Sequence, residues 1–403
     1  MQLDPARHAW ITAPQTRAVM QALGEGQARF VGGCIRNALL GEPVGDIDIA
    51  TLLEPGAVMD ALKAAGLKAI PTGIDHGTVT AVSGGKPFEI TTLRRDIEPQ
   101  GRRSRVRFTT DWAEDAARRD FRINALYADA DGAVHDPVGG LADIETRRIV
   151  FIGDPRARIT EDYLRILRFY RFTAWYGRAL NKDGHAACIA LSAGLDGLSR
   201  ERVWKEWKAL ISAPDPSRVI EAMREGHVLK EVLPGTLDLN LLLGIIHMDK
   251  RESLPPDPLL RTAALLQADE GRMAALCESM KASNAESRRF KMLAMTPRSR
   301  AGCGEADRRA SLYRLGGDGF RDQIRLSLAF GEGEASHLTS DLSAAERYQR
   351  PHLPVRGGDL LQLGVEKGPA LGEMLAALEA AWIESDFSLD RAALLAQAKG
   401  LAS

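Results

Sequence analysis

Two aspartates separated by one residue, Asp46 and Asp48 in "GDIDIAT", are the side chains of this 403-residue chain best suited to hold a cation. Side chains two apart on a strand leave the same face, so the pair would stand side by side while Ile47 and Ile49 face the core. Two ionised carboxylates so close repel each other, and burial makes this worse. A hard, oxygen-seeking ion such as Mg²⁺ relieves that repulsion. Taken alone, the pair reads more readily as a strand end whose aspartates cap a turn or pair with arginines. Some ten residues earlier, Gly32-Gly33 leads from a strand into a helix, where free N–H groups and the helix dipole favour an anion. Arg36, one turn in, adds a charged donor, although glycines in such a turn can also serve tight packing. An anion cradle just before a carboxylate pair fits a triphosphate whose α-phosphate meets the metal. Glu89 in "FEITTL" becomes a third carboxylate if its strand lies beside "DIDIA", the kind of cluster used in two-metal phosphoryl chemistry.

A second constellation lies in "EDYLRILRFYRF". Its spacing predicts Asp162, Arg165, Arg168 and Phe169 on one helix face, with Arg171 or Phe172 one turn later and Leu164 and Leu167 on another face. Salt bridging along a surface helix gives the same spacing. One aspartate followed by arginines at successive turns is also a set of hydrogen-bonding groups at the scale of a base edge. A carboxylate acceptor beside a guanidinium donor complements cytosine and adenine, which present an amine next to a ring-nitrogen acceptor. Uracil and guanine reverse that pattern, and each buried mismatch costs about 1–3 kcal/mol.

Elements must hold these residues in place. "ARFVGGCIRNALLG" reads as a strand, a glycine turn and a short helix ending at Gly41, and "GDIDIATLL" reads as a half-buried strand. "AVMDALKAAG" is a helix closed by Gly66. "GTVTAVSGGKPFEITTL" is a hairpin about Gly84-Gly85, and "RIVFIGDP" is a final strand. From Asp154 onward the pattern is helical, with breaks at "MDKRESLPPDP" and "AMTPRSRAGCGEA". The expected fold is therefore α+β, a small mixed head followed by an all-helical remainder.

Bulk properties narrow the setting. The composition, 45% hydrophobic and 27% charged with a formal net charge of −1, is that of an ordinary folded protein. No signal-peptide pattern opens the chain, and its longest apolar run, "LLLGII", is far short of the roughly 20 residues that span a bilayer. Four scattered cysteines without metal-ligand spacing point to a reducing cytoplasm. Local charge is less neutral: residues 94–122 hold nine arginines, which read either as a phosphate footprint or as a solvated loop.

"GGCIRNALLGEPVGDIDIAT" resembles the signature GGxxRDxLLGxxxxDxD of the class II nucleotidyltransferases of the DNA polymerase β superfamily, which comprise CCA-adding enzymes and bacterial poly(A) polymerases. This chain has Asn37 where Asp is common. "EDAARRDFRINALY" resembles the family's RRDFTINAL block, with Arg122 in place of Thr. "DPVGGLADI", "EDYLRILRFYRF" and "LSRERVWKEWKAL" resemble its DxxGGxxD, EDxxRxLRxxRF and SxERxxxE blocks, in the family's order. The resemblance implies a polymerase-β-like head at 1–153, a helical neck carrying the base-reading helix at 154–220, and an all-helical body and tail at 221–403 that binds tRNA. It implies template-independent addition of CCA to tRNA 3′ ends from CTP and ATP. Asp46 and Asp48 would hold Mg²⁺ with Glu89 as a further catalytic carboxylate, and Gly33 and Arg36 would hold the triphosphate. Asp162 and Arg165 would select the base, and Arg119, Arg168 and Arg171 would contact the nucleotide. Asp120 is open between a role near the sugar or metal and a structural partnership with an arginine. His76 reads most simply as a turn residue. A basic loop around Gly101 corresponds to the segment that helps relatives switch from CTP to ATP. Poly(A) synthesis and a non-catalytic RNA-binding role are the alternatives, the first disfavoured by the non-basic end "LLAQAKGLAS" and the second by the intact aspartates.

Overall fold

Short apolar runs rich in Val, Ile, Thr and Phe make the strands of the first 135 residues. They are β1 (Ala28–Val31), β2 (Asp48–Thr51), β3 (Lys68–Gly73), β4 (Thr78–Ser83), β5 (Lys86–Thr92), β6 (Arg94–Glu98), β7 (Arg105–Phe108), β8 (Tyr127–Ala128) and β9 (Val134–His135). The structure, a computed structural model, describes residues 1–98 and 105–402. The chain divides into two compact units, Met1–Leu233 and Pro234–Ser403.

Seven strands form one sheet in the order β3-β4-β5-β2-β1-β8-β9, while β6 and β7 make a separate ribbon. Only β2 and β5 pair in parallel, so the sheet is mixed as expected for this fold class. The hairpin at Gly84 and Gly85 is present. Both glycines have positive φ, +55° and +78°, as a two-residue turn between twisted strands requires.

Three segments differ from expectation. β2 begins only at Asp48, leaving Asp46 in irregular backbone, because Pro43 and Gly45 just upstream are poor strand formers. Its Ile49, Ala50 and Thr51 are all buried, since a central strand is covered on both faces. "RIVFIGDP" adds no strand to the sheet. It makes a single bridge between Phe151 and Phe121, and the N–H groups of Arg122 and Ile152 donate to the carbonyls of Val150 and Asp120. Phe151 stacks on Phe169 and packs at a tilt against Phe121, which holds this segment against the following helix instead. The basic segment after "TTL" enters β6 and resumes in β7, and Gly101 between them in sequence lies outside the described residues.

The helices Leu164–Tyr176 and Arg200–Ile211 of the first unit pack together, and Trp175 Nε1 donates to the carbonyl of Ala209 across them at 2.7 Å. The second unit is helical, with breaks where Pro and Gly cluster: between Arg251 and Pro258, and between Ala294 and Glu305. Asp238, Asp257, Asp269 and Ser283 each accept a backbone N–H at a helix start. Among the described residues no helix is long and apolar enough to cross a membrane.

Candidate active site

β1 delivers the chain to Gly32, whose φ of +72° reverses the backbone into the helix Gly33–Leu40. A side chain at Gly32 would be strained there and would stand 3.7 Å from Arg119 Nη1. Arg36 follows one turn into the helix and is only 7% exposed. Its Nε and Nη2 donate to Asn37 Oδ1 at 3.1 and 2.9 Å, Nη1 donates to Asn124 Oδ1, and Nη2 donates to the Tyr176 hydroxyl at 3.1 Å. The guanidinium lies over the Tyr176 ring at 4.3 Å. Burial lowers its pKa.

Two buried aspartates organise the neighbouring arginines. Asp115, 1% exposed, accepts from Arg118, from Arg119 and from the Tyr127 hydroxyl. Burial pushes its carboxyl up, but these cations and the hydroxyl hold it down at about 2. Arg119 spends Nε and Nη2 on Asp115 at 3.2 and 2.9 Å, leaving Nη1 toward Gly32. Asp120 accepts Arg168 Nε at 2.8 Å on one oxygen, and Asn124 Nδ2 and the Phe121 N–H on the other. Against the cost of burial, Arg168 and these donors likewise hold it at about 2. Both oxygens of Asp120 are thereby engaged, and of the two roles left open by the sequence the geometry fits the arginine partnership.

The constellation expected to read a base is built differently from the helix face that the spacing predicts. Asp162 is not helical. Its φ of −153° breaks the chain between the helices Pro155–Glu161 and Leu164–Tyr176, where its Oδ1 accepts the Leu164 N–H. An aspartate's short side chain competes for backbone donors, so it ends a helix more readily than it continues one. Arg202 donates to its other oxygen at 2.7 Å and aims the carboxylate. Arg165 Nη1 donates to the Arg158 carbonyl at 2.7 Å and to Glu161, which leaves Nε and Nη2 without a protein partner among the described residues.

The carboxylates meet across β2 and β5. Asp48 pairs in register with Glu89, and Asp46 lies two residues upstream. Burial first, then the negative charges of Glu89 and Asp46, push the Asp48 carboxyl up to about 6, while Arg119 and Arg36 pull it down. A cluster that strains its own ionisation, built of hard oxygen donors, fits a divalent cation. Among the described residues no three His, Cys, Asp or Glu side chains stand close enough to hold one ion between them. An ion here would therefore complete its shell with water and substrate phosphate, as Mg²⁺ commonly does.

A cavity of about 550 Å³ joins these parts, lined by Gly33, Arg36, Asp48, Arg119, Asp162, Arg165 and Arg168. Arg171, Asp46 and Glu89 are outside its lining. Arg171 Nε stands 2.8 Å from Glu206 Oε2, with its guanidinium over Phe172 at 4.5 Å. His76 is exposed and contributes its backbone carbonyl, which accepts from Arg94. Asp115, Asn124, Tyr176, Arg202 and Glu206 are missing from the sequence-level site. Asp115 carries a signal, its spacing of four from Arg119 next to a helix. Arg202 and Glu206 stand in the "RERVWKE" block without a readable role, and nothing marks Tyr176.

A glycine–arginine cradle beside paired carboxylates on a mixed sheet defines a nucleotidyltransferase head. Residues 28–150 match the family described as "Poly A polymerase head domain", and residues 179–239 match "Probable RNA and SrmB- binding site of polymerase A". The chain is 32% identical to the Danio rerio "CCA tRNA nucleotidyltransferase 1, mitochondrial", over 92% of this chain and 86% of that protein. It is 29% identical to a "CCA-adding enzyme" of Limosilactobacillus fermentum over 92% of both chains. A crystal structure of the Bacillus stearothermophilus CCA-adding enzyme in complex with CTP superposes with a TM-score of 0.73 at 27% identity, covering 96% of this chain and 98% of that one. The chain belongs to the family of CCA tRNA nucleotidyltransferases.

Proposed function

We propose that this protein adds C, C and A in turn to the 3′ end of tRNA, using CTP and ATP and releasing pyrophosphate. One observation carries the reading: a single cavity holds the Gly33–Arg36 turn and Asp48 at one part of its wall and Asp162 with Arg165 at another. Gly33, Arg36, Arg119 and Arg168 bind the triphosphate, for which fork-shaped guanidinium donors are well matched. Asp162 accepts the exocyclic amine of cytosine or adenine, and the open edge of Arg165 donates to the adjacent ring nitrogen. Arg171 supports this face through Glu206. Asp46 and Asp48 are the residues to hold Mg²⁺, with Glu89 adding negative charge beside them. Bound there, the ion would supply activation of the tRNA 3′-hydroxyl and stabilisation of charge on the α-phosphate. The helical residues 221–403 are the proposed tRNA-binding body, a contact that should weaken with salt. Four free cysteines support a reducing, cytoplasmic setting.

Incubating tRNA that lacks its terminal CCA with each NTP and Mg²⁺, then sequencing the added ends, tests the reading. Addition of C, C and A followed by arrest is the expected result. A run of adenylates would make the protein a poly(A) polymerase.

A further inference from the structure

Arg36 differs from Arg118, Arg119, Arg165 and Arg168 of the same cavity in what holds it. Arg118 and Arg119 pair with Asp115, Arg165 with Glu161 and Arg168 with Asp120. Arg36 has no carboxylate within ion-pair distance among the described residues; its partners are two asparagine amides and a phenol. Asn37 is the centre of that clamp. Its Oδ1 takes two of the five guanidinium N–H groups, and its Nδ2 donates to the Pro43 carbonyl at 2.8 Å, which fixes the amide's orientation. Turning the amide over would set its NH₂ against the guanidinium.

We propose that Asn37 is a positioning residue that holds Arg36 rigid without pairing it to a carboxylate, which keeps its charge available to the nucleotide's phosphates. This rests on the cavity being the CTP and ATP site. An aspartate at this position would offer Arg36 the same two acceptor contacts. It would also cancel the cation, and it would leave the Pro43 carbonyl without its donor. A neutral clamp keeps geometry and charge together: four of the five N–H groups are occupied, and one Nη1 hydrogen with the full positive charge remains for a ligand.

Equilibrium binding of CTP and of cytidine to the full chain tests the idea in Asn37→Asp, Asn37→Ser and Arg36→Gln. Asn37→Asp should weaken CTP about tenfold or more and leave cytidine within about twofold, because only the phosphates meet the lost charge. Asn37→Ser, which loosens the clamp without adding charge, should weaken CTP about threefold, again sparing cytidine. If Arg36→Gln weakens CTP and Asn37→Asp binds it as tightly as the unaltered protein, the inference is overturned. If Arg36→Gln leaves CTP binding unchanged, the reading of the cavity fails, and the inference fails with it. Should Asn37→Asp not fold, Asn37→Ser decides: no loss of CTP, or an equal loss of CTP and cytidine, overturns the proposal.

Discussion

Asp48 has no ion pair among the described residues, and burial, followed by the negative charges of Glu89 and Asp46, drives its carboxyl up to about 6. An ordinary aspartate titrates near roughly 3.9. A pKa raised on folding gives stability that is present below the unfolded value and lost as pH rises through about 6. Metal-free protein should therefore lose stability over that window, and Mg²⁺ should restore it. In thermal melts, the Mg²⁺-induced rise in Tm should grow from pH 5 to pH 7 and vanish in Asp48→Asn; an equal rise at both pH values would contradict the assignment. Asp48→Ala should abolish Mg²⁺-dependent nucleotide incorporation and leave tRNA binding nearly intact. Base selection is a separate matter of hydrogen bonds. Asp162→Ala or Arg165→Ala should cut discrimination between CTP and UTP about tenfold to a hundredfold, the size of one or two unmatched buried groups. Single-turnover incorporation from each nucleotide measures this, and undiminished rejection of UTP in both variants would refute a protein-borne template.

At the scale of elements, the site is a set of arginines each fixed along one edge. Asp115 within the helix Trp112–Ala117 and Asp120 just after it bind Arg118, Arg119 and Arg168. Both carboxyls are held at about 2, below their ordinary value, so their stabilisation is present above about pH 4 and lost as pH falls toward 2. Each contributes about 2 kcal/mol at neutral pH by this linkage. Asp115→Asn should lose about that much stability at pH 7 and converge with the unaltered protein only below about pH 2, as read by urea unfolding. It should also raise KM for CTP, because Arg119 loses the partner that aims its free Nη1. Helix ends matter in the same way: Asp162 reaches the cavity from a break between two helices, held by Arg202 of a third.

For the molecule as a whole, the second unit depends on a charge cluster of its own. Asp249, 3% exposed, accepts from the fully buried Arg261 and from Arg325, and Arg289 pairs with Asp257 and Asp322 nearby. Removing one partner of such a cluster leaves buried cations uncompensated, which costs about 3–5 kcal/mol. Asp249→Ala should destabilise Pro234–Ser403 by that amount, seen as faster amide exchange in its helices. CTP affinity should stay unchanged, because every residue lining the proposed nucleotide cavity lies in Met1–Leu233. A parallel loss of CTP binding would show that the units do not act separately.

The sequence by itself determined what depends on residue type and short spacing. That includes the glycine turn into an arginine-bearing helix, the Asp46–Asp48 pair, the hairpin at Gly84-Gly85 and the change to helical pattern near Asp154. Local rules decide these features, since φ preference, period and capping act over a few residues. The tertiary structure alone decided which charges meet. Arg168 finds Asp120 from 48 residues away, and Arg36 finds Tyr176 from 140. It also decided that Asp162 ends a helix and that "RIVFIGDP" leaves the sheet for an aromatic cluster. Such pairings depend on how buried surfaces close on one another, which no local pattern encodes. Asn37 belongs to both levels. As a letter it was an exception to a motif, and its place in the fold gives it a reason, a neutral hold on a cation.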